Sequence, residues 1–172
     1  MAQQRMSYVD PSSIRDEPML AEFDRGRREG RPRPESRAIR AHVLAAFWSF
    51  VAASDGVFRN GVMGHAIKER CRVYVSRSVK SARHGLVEDD YRDLLAFEKS
   101  SRYDERQKAA LADTEAITRD LATDDALWQR LKRHFSEPQI VEFGYFVAAT
   151  TGRQCWLRRH DVRAEKRDSA AE

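Results

Sequence analysis

Arg70, Arg77 and His84 recur at seven-residue spacing, so on a helix they share one face, with Glu69 one step outside it. Guanidinium groups repeated in this way suit an anionic ligand, because each presents a planar fork of donors to a carboxylate. Surface or intersubunit salt bridges are the more ordinary use of the same residues. Ser81 lies one helical turn before His84, a spacing at which an imidazole can reach a hydroxyl and act as its base. No third group is placed to orient that pair, since Glu69 is about three turns away. Two cysteines complete the reactive side chains. Cys71 falls on an apolar helix face, where a buried, inert thiol is the ordinary outcome. Cys155 has Arg153, Arg158 and Arg159 nearby, charges that favour a thiolate where they reach it.

These residues need an element to hold them, and the stretch GHAIKERCRVYVSRSVKSARHG at 64–85 supplies it. Ile67, Cys71, Tyr74, Val75, Ser78 and Ala82 keep helical spacing, which predicts one long helix, apolar on one side and basic on the rest. Before it, SRAIRAHVLAAFWSFVAAS reads as a single very apolar helix over about 35–54. Ile39, Val43, Ala46, Phe47 and Phe50 lie on its main face, and His42 is expected to be structural. A short helix to about Arg28 carries Met19, Leu20 and Phe23, and is closed by the proline-rich EGRPRPES. Residues 1–13 read as a loose arm.

Downstream, a helix is expected over about 88–98 with acidic residues at its start, where they complement the helix dipole. Another spans about 104–122, with Asp104 and Gln107 at capping-box spacing. A third covers about 125–135. A last long one opens at SEPQ, where serine, proline and glutamine all fit a helix start. The charged residues 161–172 read as a frayed tail. No segment alternates with period two, so the fold class is all-α, a bundle of about seven helices.

The order and spacing of several blocks resemble the carboxymuconolactone decarboxylase and alkylhydroperoxidase-D-like family. These blocks are ESRAIRAH, KERCRVYVSRSV, LLAFEKSSRYDERQKAALADTEAIT and LWQRLKRHFSEPQIVEFGYFVA, within about 31–160. The resemblance implies an AhpD-like helical domain over 31–160, preceded by an arm and short helix. It also implies a homo-oligomer, commonly a trimer or hexamer. Redox members reduce peroxides with a Cys-x-x-Cys pair, and a glutamate and a histidine relay protons to the sulfurs. Counted from Glu69 as the family's glutamate, Ser81 and His84 fall on the two cysteine positions and Glu88 on the histidine. Catalytic roles for Glu69, Ser81 and His84 are therefore implied by the resemblance alone. No Cys-x-x-Cys occurs anywhere in the chain, so the implied peroxidase activity is reduced or lost. The alternatives are a non-redox, decarboxylase-like enzyme that binds a small carboxylated substrate through Arg70 and Arg77, and an oligomeric binding protein without chemistry.

Bulk properties narrow the field. With 172 residues, 41% of them hydrophobic, the chain can build one real core. Lys and Arg number 31 against 27 Asp and Glu, and the signs alternate, which speaks against a nucleic-acid partner. The N-terminus lacks the apolar core of a secretory signal, and no apolar run is long enough for a bilayer. A cytoplasmic protein with both thiols reduced is expected. Phosphate-binding, dinucleotide and zinc motifs are missing, so the sequence assigns no cofactor and no metal.

Overall fold

The computed structural model describes residues 6–29, 34–78 and 93–160, and among them every regular element is helical. The seven α-helices are α1 (Glu17–Arg28), α2 (Pro34–Arg40), α3 (Leu44–Ala53), α4 (His65–Ser78), α5 (Glu105–Arg119), α6 (Asp125–His134) and α7 (Glu137–Arg159). Short 3₁₀ segments lie at Pro11–Ser13 and Leu94–Lys99, and a π-helical turn at Ser54–Arg59. The chain divides into two compact units. One is built from residues up to Ala52 together with those from Leu157, the other from Ala53–Trp156.

In the first unit, α1 begins where the Asp16 carboxylate accepts the Met19 N–H at 2.8 Å, followed by Pro18 in the first turn. Met19, Phe23, Ala38, Phe47 and Val51 form its apolar core. The single helix expected over 35–54 is instead two. The bonds from His42 N–H to the Ile39 carbonyl and from Val43 N–H to the Arg40 carbonyl have i→i−3 spacing, tightening the chain into a turn between α2 and α3. The reason is polar. Arg37 and Arg40 are buried on α2, Arg37 lies 3.7 Å from the buried Glu22 of α1, and Arg40 stacks over the Phe50 ring. A side chain at Gly26 would crowd the Arg37 guanidinium at 3.0 Å. Val43 and Ala46, assigned to the inner face of one continuous helix, are exposed, as is Leu44.

The described part of the supposed loose arm is also held in place. Val9 N–H donates to the Ala38 carbonyl at 3.2 Å, and the His42 ring bonds the Ser7 carbonyl at 2.9 Å.

In the second unit, α4 packs on α5 and α5 on α6. Cys71, Val73, Tyr74, Val75, Leu111, Leu131, Phe143 and Val147 are all but inaccessible. Burial therefore extends round α4 beyond one stripe, since Lys68, Val73 and Ser76 are buried as well. The expected capping box opens α5. Gln107 N–H donates to the Asp104 carboxylate at 2.7 Å, and the Gln107 side chain accepts the Asp104 N–H. This helix ends at Arg119, three residues before the expected end, because Asp120 turns left-handed at φ 53°. At the head of α7, Gln139 accepts the Ser136 N–H at 3.1 Å. Residues 94–99 form a 3₁₀ segment where an α-helix was expected, with Ala96 off helical geometry. The start expected at 88 lies outside the described residues.

Candidate anion-binding site

α4 carries the candidate residues because its inner face is anchored by Cys71, Tyr74 and Val75, which fixes the rotation of the outer one. Glu69 pairs with Arg72 one turn on, the Arg72 Nε donating to Oε2 at 2.8 Å. This is the i, i+3 partnership that helix geometry favours. Arg70 donates within its own helix, at 3.5 Å from the Ala66 carbonyl. Ser81 and His84 lie outside the described residues, so the described site is Glu69, Arg70 and Arg77 with their surroundings.

The charges of Arg70 and Arg77 are both felt at Tyr103. The tyrosine immediately precedes the Asp104 cap of α5 and is 5% exposed. Burial is the main influence on its phenol and raises it above the ordinary value. Asp93 adds to the rise, while Arg70, Arg102 and Arg77 oppose it. The phenol therefore stays protonated at neutral pH. Arg102 lies 3.7 Å from the Asp93 carboxylate, which also accepts the Ser100 hydroxyl at 3.2 Å. The charges of Arg70, Arg102 and Arg77 thus oppose the rise at the Tyr103 phenol, and Arg102 is itself paired with Asp93. Sequence reasoning missed Tyr103, Arg102 and Asp93. The available signal was an apolar residue directly before a capping box, a position that commonly turns inward.

Two further polar groups are structural or inert. Lys68 is 1% exposed, and its ammonium pairs with Glu142 of α7 and donates to the Val57 carbonyl. Glu142 also accepts the N–H groups of Val62 and Met63. A side chain at Gly61 would run into that carboxylate. Burial alone would raise Glu142, but the bonds from Lys68, Val62 and Met63 outweigh it and hold the carboxyl below its ordinary value. Burial pushes the Cys71 thiol up to about 12, so it carries almost no thiolate at neutral pH. Neither Cys71 nor the exposed Cys155 is in a disulfide. No group of three or more His, Cys, Asp or Glu able to hold a metal occurs among the described residues. No helix there is long and apolar enough to cross a membrane.

No protein-family profile and no curated protein matches the chain. Among solved structures it is similar to the debrominase Bmp8, determined as a cysteine-to-alanine variant in complex with 2,3,4-tribromopyrrole. The TM-score is 0.72 over 95% of each chain, at 18% sequence identity. At that identity the likeness speaks for the fold alone, an all-helical fold consistent with the carboxymuconolactone decarboxylase-like bundle the sequence resembles.

Proposed function

We propose that this protein is a carboxymuconolactone decarboxylase-like helical protein that binds a small carboxylated substrate at Arg70 and Arg77 and does not run dithiol peroxide chemistry. The reading is supported by the spacing of two arginines, seven residues apart on α4, whose planar donors suit a carboxylate. In this reading Arg70 and Arg77 neutralise and orient the carboxylate. Glu69 stays a structural partner of Arg72. Support for the second half comes from the sequence, which holds no Cys-x-x-Cys, and from the burial that keeps Cys71 protonated. Chemistry at Ser81 and His84, if the substrate reaches them, is non-redox. The protein works as a homo-oligomer, as the family resemblance implies.

The test is thermal unfolding with a panel of small mono- and dicarboxylic acids, with 2,3,4-tribromopyrrole included because a protein of this fold is described with it bound. A carboxylate at a hundred times its dissociation constant adds about 2.7 kcal/mol to the native state. The shift is expected for a dicarboxylate and is expected to vanish in R70A/R77A. No acid raising the melting temperature would overturn the binding reading. Dithiol-dependent peroxide turnover by the wild type would overturn the non-redox half.

A further inference from the structure

α7 presents an outward stripe with a regular spacing. Glu137, Val141, Tyr145, Ala148, Gly152, Cys155 and Arg159 follow one another at steps of four, four, three, four, three and four residues, and each is exposed. Steps of four and three keep such residues on one face of a helix, where a second helix can seat against them. Val141 is 72% and Tyr145 58% exposed, a large apolar area to leave in water. Gly152 adds a second observation. Glycine inside an exposed helix costs about 1 kcal/mol relative to alanine. A Cβ built there would meet nothing within 4 Å, so this chain's own packing gives no reason for it. A second helix approaching closely at Ala148 and Gly152 does.

The charges identify that second helix. The stripe begins with an acid, Glu137, and ends with a base, Arg159, each eleven residues from Ala148. A copy of α7 laid antiparallel across a two-fold axis at Ala148 sets Glu137 of each chain against Arg159 of the other. The same axis brings Val141 opposite Cys155 and seats Tyr145 over the small side of the partner helix at Gly152. A parallel copy would set like charges together at both ends. We infer that the α7 stripe is a self-complementary interface, through which two copies of this chain pair antiparallel about Ala148. This rests on the homo-oligomer reading and makes it specific. An interface of this kind is isologous, so it belongs to dimers or to hexamers of paired trimers, and not to a plain cyclic trimer.

The experiment combines sedimentation with cross-linking on the full chain. Wild type is expected to sediment as an even-numbered oligomer at micromolar concentration. E137R and R159E should each weaken the pairing about tenfold, worth about 1.4 kcal/mol, and E137R/R159E together should restore it. V141C should give a covalent dimer under mild oxidation through the native Cys155, and V141C/C155S should not. Wild type itself should give none, because its two Cys155 residues stand roughly 21 Å apart along the axis. A wild-type oligomer with no V141C cross-link and no rescue by the double reversal would overturn this interface and leave the assembly reading standing. A wild-type monomer would overturn both.

Discussion

At the scale of single residues, the most consequential pair is Lys68 with Glu142, since it joins α4 and α7 and pins the chain at Val57, Val62 and Met63. An ammonium this deeply buried is tolerated because it is paired with the Glu142 carboxylate and donates to the Val57 carbonyl. Truncation to K68A leaves Glu142 facing the core unpaired and is expected to cost about 3–5 kcal/mol in denaturant unfolding. A paired replacement, K68M/E142L, should cost far less. The pH dependence follows from the sign of the Glu142 shift. Its folded carboxyl sits below the unfolded value, so its contribution is present above the unfolded pKa and is lost as pH falls through the folded one. E142Q should flatten that acid limb. The seven-residue recurrence of arginines was legible in the sequence, but the burial of Tyr103 was not, because it depends on where the residues before α5 fold back.

At the scale of elements, α5 shows how local signals and packing divide the work. Its start was readable, since Asp104 and Gln107 satisfy each other's backbone groups regardless of the rest of the fold. Its buried face was not, because Asp113 is 7% exposed among apolar residues with Cys71 nearby. Burial raises its carboxyl to about 6. A carboxyl raised in the folded state favours folding fully only below its unfolded pKa of 3.8, and that contribution drains away as pH rises towards 6. D113N removes the penalty. It is expected to stabilise the protein by on the order of 2 kcal/mol at pH 7 and to leave it unchanged at pH 3. Melting curves of both proteins between those values check it. The break between α2 and α3 has the same origin, since polar groups buried at Glu22, Arg37 and Arg40 override an apolar pattern that ran straight on.

For the whole molecule, assembly and stability are coupled. If two chains meet along α7, the folded state is favoured by mass action, and the melting temperature should climb with protein concentration. The Y145E variant, which sets a charge in the middle of the seam, should lose that dependence while still melting cooperatively. Unfolding at concentrations a hundredfold apart, with wild type and variant side by side, gives the answer.

What the sequence by itself determined is the all-helical class, the caps of α5 and α7, the end of α1, the termini of α6 and the inner face of α4 around Cys71, Tyr74 and Val75. These follow from spacing and from hydrogen bonds made within a few residues of each other. Tertiary structure alone decided which polar groups go inside: Glu22 with Arg37, and Lys68 with Glu142. Lys68 and Glu142 are 74 residues apart in the chain. Neither residue type announces burial, because a charged side chain is stable in the interior only when a distant segment brings its partner. Composition and periodicity record what each residue prefers alone, and the fold supplies the partner that reverses the preference.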